Sequence, residues 1–330
     1  MSRKRNSLKY EMKRLAFQNT KNEMNNHTKT TYRRSINRFA EWAVGRGCRD
    51  VNDITKKLIQ EYEIYLEESP KSYAPSTIHT YLAPICVAVG VSMEEIKKPK
   101  RKARYISRSR HFDYSVKKEG NQQGLAEEKN PKYARVVAFD RVVGIRRAEL
   151  GKLYGSDLIS RGDDKFILVK RGKGGKTQEQ YILPQDVGVV LDVFSGVGPS
   201  EKVFSNQELN NKIDFHRMRA AHARRCYAYY AENIDADPAF ADKMRNKLMN
   251  RWLEAHKRHR EENYKSWERK KKRFELDMDS RPYKLRGDNL SKAIEADLPV
   301  EYNRLALMCV SVFHLSHWRL DVTVTNYLVY

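Results

Sequence analysis

The sequence predicts a mainly α protein built in two parts, with one small β-sheet in the second part. Three observations carry this. Apolar residues recur at helical spacing in two long runs, from about Thr30 to Lys97 and from about Pro131 to the end of the chain. Only the segments 165–170 and 178–183 carry a strand signal. A stretch rich in cations and poor in apolar side chains, Lys97 to Arg110, separates the two runs. At 330 residues the chain is long enough to bury two cores.

Residues 1–27 form a basic N-terminal arm whose weak period (Leu8, Met12, Leu15) fits either a short helix or a disordered segment. Residues 28–97 read as a compact helical domain. Tyr32, Ile36, Phe39, Ala40 and Ala43 mark a helix that stops at Gly45 and Gly47. Thr55 caps a second helix bearing Leu58, Ile59, Tyr62, Tyr65 and Leu66. Ser76 opens a third with Ile78, Tyr81, Leu82 and Ile85, and Ser92 caps a short one ending near Lys97. Residues 98–130 are expected to be a basic interdomain linker.

The second domain, 131–330, opens with a helix bearing Tyr133, Val136, Val137 and Phe139. Gly144 then turns the chain into a helix expected to run to Ser156 and Asp157. Two strands follow, joined by a glycine-rich turn, Gly172 to Gly175. That turn mimics a phosphate loop, but Lys170 stands where the first glycine belongs and a strand follows where a helix should open. Asp237 and Pro238 have the N-cap and first-turn chemistry of a helix start. From there a charged segment, 237–280, holds thirteen Lys and Arg between Lys243 and Arg273 with apolar residues thinly spaced. It is expected to protrude as a helix or helical hairpin, contacting DNA, contacting another protomer, or merely solvated.

Sixty-four Lys and Arg against forty-two Asp and Glu leave a net charge of +22, which favours a polyanionic partner, nucleic acid first. The longest apolar stretch, Tyr81 to Val91, contains Pro84 and Gly90 and falls well below the ~20 residues of a membrane span. The basic start has no apolar signal core, and Cys48, Cys86, Cys226 and Cys309 are scattered singly, so a cytoplasmic protein with reduced thiols is expected. His314 and His317 invite a metal reading at their spacing, but no nearby carboxylate or thiolate in the sequence completes a ligand set, and no metal is expected.

Four segments carry chemistry. They are Gly144-Ile-Arg146-Arg-Ala-Glu149-Leu, Lys173 within Arg-Gly-Lys-Gly-Gly-Lys, His216-Arg-Met-Arg219, and Leu315-Ser-His317 followed by Tyr327. In this order they resemble the site-specific tyrosine recombinase, or phage integrase, family. The resemblance covers about residues 30–330 apart from the charged insertion. It implies an N-terminal helical core-binding (SAM-like) domain and a mostly helical catalytic domain with a small sheet, the two closing around duplex DNA. By the same resemblance, Arg146 and Arg219 would brace a DNA phosphate with guanidinium forks. His216 and His317 would bond that phosphate or move the tyrosine proton, and Lys173 would protonate the departing 5′ oxygen. Tyr327 would hold the 3′ phosphate covalently, with no ATP and no metal, while Glu149 would hold Arg146.

Lys97, Lys98, Lys100, Arg101, Lys102, Arg104, Arg108 and Arg110 form a candidate strap along DNA phosphates. The resemblance further implies a homotetramer on two recombination sites of a mobile element in a bacterial cytoplasm, with an accessory DNA-bending protein as a possible partner. Three departures stand out. His216 and His317 lie 101 residues apart because of the insertion, Leu-Ser-His replaces the usual Leu-Gly-His, and the step to Tyr327 is one residue longer than the commonest spacing. Tyr330 is therefore a second nucleophile candidate. A catalytically silent DNA-binding protein of the same fold and a type IB topoisomerase-like relaxing enzyme are the rival readings.

Overall fold

The computed structural model describes residues 7–20, 24, 26–71, 73–99, 129–170, 172, 177–209, 213–278 and 281–328. It divides into two units, 1–102 and 103–330. The architecture is mainly α with a small antiparallel sheet.

The first unit holds α1 (Leu8–Gln18), α2 (Asn26–Val44), α3 (Lys56–Glu67) and α4 (Pro75–Val89). Helix α4 is its hub and packs on the other three. Phe39 of α2 meets Tyr62 of α3 edge to face at 5.0 Å, both fully buried. The segment expected as an arm contributes α1, which buries Leu8, Met12 and Ala16 in this core; the weak apolar period is one helix face with a partner. Thr55 accepts the Leu58 N–H at 3.2 Å and so caps α3. Ser92 caps only a single 3₁₀ turn, Met93–Glu95. Of the basic strap, Lys97 and Lys98 are described. The Lys97 N–H donates to Gln60 Oε1 at 2.8 Å, and the Lys98 ammonium donates to the carbonyls of Ile96 and Met93. The remaining cations, Lys100 to Arg110, lie outside the described residues.

The second unit begins with α5 (Ala134–Val143) and the single turn α6 (Arg147–Leu150). The expected longer helix fails because the backbone of Leu153 and Gly155 bonds instead to Val203 and Glu201, at 3.0 Å each. Strands β1 (Leu158–Arg161), β2 (Asp164–Val169) and β3 (Gln178–Tyr181) form an antiparallel meander with Leu158 opposite Ile167 and Phe166 opposite Tyr181. β1 carries no strand signal in the sequence because its four residues include Ser160 and Arg161, both exposed. Helices α7 (Val187–Phe194) and α8 (Asn206–Leu209) follow.

Helix α9 (Phe215–Ala236) bridges the unit's two cores. Phe215 and Met218 belong to the core built on α5 and the sheet, whereas Ala220, Ala223, Cys226 and Tyr230 belong to the C-terminal core. Arg219 sits at that seam.

The charged insertion forms α10 (Pro238–Ala255), α11 (Lys257–Glu262) and α12 (Tyr264–Asp277). It does not protrude. Leu248, Trp252, Trp267, Phe274 and Met278 are buried in the same core as Tyr327. Large side chains at wide spacing supply the area that a denser apolar stripe would otherwise provide. Lys247 and Arg251 pair with Asp164 and Glu179 of the sheet, each at 2.6 Å. Asp237 accepts the Ala239 N–H at 2.8 Å, the N-cap expected of it.

The chain then runs through β4 (Tyr283–Lys284), α13 (Asp288–Glu295), β5 (Glu301–Tyr302), paired antiparallel with β4, and α14 (Arg304–Cys309). It ends with a π-helical turn Val310–His314, α15 (Leu320–Thr323) and a second π-helical turn Val324–Leu328. No helix among the described residues is long and apolar enough to cross a membrane.

Candidate active site

Gly144 ends α5 with φ +63°, and a Cβ there would come within 2.6 Å of the His222 ring, so both conformation and space require glycine. The turn leaves Arg146 as the cap of α6. The Glu149 carboxylate reaches back to it twice, accepting the Arg146 backbone N–H at 3.0 Å and the Nη1 donor at 2.8 Å. Burial pushes the Glu149 carboxyl up, but the Arg146 charge and these two bonds outweigh it and hold the group below the usual carboxylate range. Arg146 is thereby fixed at one side of its fork, while its side chain stays 30% accessible with donors to spare.

Asp214 caps α9 by accepting the N–H groups of His216 and Arg217 at 3.1 and 3.0 Å. His216 and Arg219 follow three residues apart and so share one helix face. The Arg219 guanidinium is only 2% exposed. It donates Nη1 to the Gly144 carbonyl and Nη2 to the Leu315 carbonyl at 2.8 Å, joining the first arginine segment to the histidine segment. Its Nε has no partner among the described residues.

His317 is set by Ser311, a residue that nothing in the sequence singles out. The Ser311 hydroxyl donates to the His317 carbonyl, and the same oxygen lies 3.2 Å from His317 Nδ1 and 3.1 Å from the Arg319 N–H. With the one hydroxyl proton already used, the imidazole must be the donor to Ser311 Oγ. That places the ring proton on Nδ1 and leaves Nε2 as a bare acceptor. Nε2 is indeed buried with no hydrogen-bond partner among the described residues. Burial, then the charges of Arg219, Arg146 and Arg319, bring the His317 pKa down to about 4. The ring is neutral at physiological pH.

Tyr327 lies in the second π-helical turn and is 7% exposed. Its ring centre is 5.8 Å from Arg219 Cζ, 5.8 Å from the His216 ring, edge to face, and 6.1 Å from the His317 ring. Arg219, His216, His317 and Tyr327 thus converge from three separate segments, and the Arg146 charge is felt at both Arg219 and His317. Lys173 and Tyr330 lie outside the described residues. The strands flanking Lys173 are placed, and Gln180 of β3 donates to the Val143 carbonyl, just before Gly144.

Ser316 has φ +52°. The serine that replaces the expected glycine therefore occupies a left-handed conformation, in which a Cβ is strained.

A family model described as "Phage integrase SAM-like domain" matches residues 7–105, which spans the first unit. By that match the first unit belongs to the phage integrase SAM-like domain family, and residues 106–330 lie outside it. Two solved structures are similar to it in part. XerH site-specific recombinase, bound to palindromic difH substrate in a post-cleavage complex, is 14% identical, over 60% of this chain and 68% of that one, with a TM-score of 0.41. XerA recombinase is 16% identical, over 66% of this chain and 83% of that one, with a TM-score of 0.23. No curated protein matches the chain.

Proposed function

We propose that the protein cleaves and rejoins duplex DNA at a specific site through a 3′-phosphotyrosyl intermediate on Tyr327. The observation that carries this is the placement of the Tyr327 ring within about 6 Å of Arg219, His216 and His317 in a site reached by the Arg146 charge. In this reading His317 Nε2, the unpartnered acceptor, takes the phenol proton as the oxygen attacks phosphorus. Arg146 and Arg219 meet the negative charge that grows on the nonbridging oxygens, where preorganised donors in a water-poor site act most strongly. His216 adds a donor, and Lys173, in the segment of the chain between β2 and β3, protonates the leaving 5′ oxygen. Because Tyr327 is 7% exposed, the last π-helical turn must open to admit a duplex phosphate. π-Helical turns recur at functional sites, and here two of them bracket His317 and carry Tyr327.

Residues 28–97 would serve as the core-type DNA-binding domain, 98–130 as the basic interdomain linker, with the cations from Lys97 to Arg110 as a strap on phosphates, and 131–330 as the catalytic domain. Four protomers would act on two sites of a mobile element in the bacterial cytoplasm, with or without a DNA-bending partner. Tyr327→Phe tests the reading on a nicked suicide duplex. DNA binding should persist while the covalent protein–DNA band disappears. A covalent band from the Phe variant would remove Tyr327 as nucleophile.

A further inference from the structure

Behind Arg219 lies a second cluster that strand cleavage does not use. His222 and Cys226, one turn apart on α9, meet His314 at the end of the first π-helical turn, and all three are at most 1% exposed. One ligand-type atom from each lies within 4.8 Å of the others. His222 Nε2 is 3.2 Å from His314 Nδ1 and 3.4 Å from Cys226 Sγ. Metal bonds of about 2.0–2.1 Å to nitrogen and 2.3 Å to sulfur separate the ligands of one ion by roughly 3.3–3.7 Å. The three donors already stand close to that spacing.

The outer partners are also those of a metal site. A ligating imidazole carries its other ring proton to a fixed acceptor, which sets its tautomer. With a cation on His314 Nδ1, the Nε2 proton falls on the Tyr230 hydroxyl oxygen at 3.0 Å. The His222 ring hydrogen-bonds the Arg141 backbone. Burial and the neighbouring guanidinium charges keep both imidazoles neutral, the form that binds metal.

We propose that His222, Cys226 and His314 form a three-ligand site for a thiophilic d10 cation, copper(I) or zinc(II), that clamps α9 to the segment carrying His317. On binding, the Cys226 thiol loses its proton to solvent, the thiolate sulfur bonds the ion, and no electron is transferred. Imidazole and thiolate together select these two ions over magnesium or calcium. Copper(I) with one thiolate leaves the cluster uncharged, whereas zinc leaves one positive charge facing Arg219 and Arg225. The clamp acts on the arginine cradle: His222 packs against Gly144, and His314 immediately precedes Leu315, the two residues whose carbonyls hold Arg219. Metal binding stands independently of the strand-cleavage reading, since its readout needs no DNA.

The test is metal retention by the full chain. Purified protein is incubated with zinc chloride, or with copper(I) under reductant, passed through a desalting column and assayed for bound metal. One equivalent should be retained and should raise the melting temperature. The Cys48→Ser/Cys86→Ser double variant should behave the same, while Cys226→Ala should weaken binding by more than the roughly ten- to hundredfold that loss of an outer partner costs. Cobalt(II) added to the double variant should give a thiolate-to-metal charge-transfer band, a readout that survives if Cys226→Ala does not fold. Retention of neither ion with no cobalt–thiolate band, or equal retention by folded Cys226→Ala, would overturn the proposal and leave the three side chains as a buried hydrogen-bonded network.

Discussion

Ser311→Ala removes one oxygen that organises His317 through three hydrogen bonds: the donation to the His317 carbonyl and the acceptances from His317 Nδ1 and the Arg319 N–H. Each is worth about 0.5–1.5 kcal/mol net, and buried groups left unpaired cost more. Arg319 is exposed enough for water to replace its partner, so the loss should total about 2–3 kcal/mol. In a unit of this size that lowers the melting temperature by roughly 5–10 °C. The effect on chemistry is separate: without an acceptor at Nδ1 the imidazole proton is free to sit on Nε2, which blocks the nitrogen that is to take the Tyr327 proton. Loss of such an orienting partner typically costs ten- to hundredfold, here in the rate of covalent-complex formation on a suicide duplex, measured well below the melting point. DNA affinity should not change. Nitrogen-15 spectra should show His317 protonated at Nδ1 in the native protein and a mixture of the two tautomers in the variant. Native cleavage rate together with a mixed tautomer would refute the argument that the Ser311–His317 bond readies the base.

Arg146→Ala and Arg219→Ala should each slow cleavage by about 10²–10³ while changing DNA affinity far less; parallel losses in binding and cleavage would demote either residue to a phosphate anchor. Arg219→Ala should also destabilise the fold, because the Gly144 and Leu315 carbonyls lose their donor. Ser316→Gly should stabilise the protein by about 0.5–1 kcal/mol, the left-handed strain of about 1–2 kcal/mol relieved less the greater freedom of glycine in the unfolded chain, as read from thermal melts; a lower melting temperature would show that the serine makes a compensating interaction. If the insertion lies on DNA, neutralising Arg269, Lys270, Lys271 and Lys272 should flatten the slope of log affinity against log salt by up to about 0.9 for each phosphate no longer neutralised. An unchanged slope with poor synapsis would place that face between protomers instead.

Local signals in the sequence are reliable where a single residue settles the geometry. The Thr55 and Asp237 caps, the Gly144 turn and the strands around Lys173 are legible because cap chemistry, positive φ and β-propensity act within a few residues. The signals fail where distant segments decide. The helix expected after Arg146 stops at one turn because Leu153 and Gly155 bond to residues some 50 positions away. The insertion is expected to protrude because of its charge and thin apolar pattern, yet two of its cations pair with Asp164 and Glu179 on the sheet. Ser311 is one small polar residue in an apolar run, with nothing to mark it as the partner of His317. Cys226 reads as a solitary thiol because His314, the partner that gives it meaning, stands 88 residues further along the chain.

In the proposed reaction the phenol of Tyr327 becomes the covalent attachment point for DNA. The most direct measurement traps the protein on a nicked suicide duplex bearing its cognate site, digests the complex and maps the nucleotide-modified peptide by mass spectrometry. A 3′-phosphoryl adduct is expected on Tyr327, within the peptide that follows Arg319. An adduct on Tyr330 alone, or no adduct under conditions where the site is bound, would contradict it.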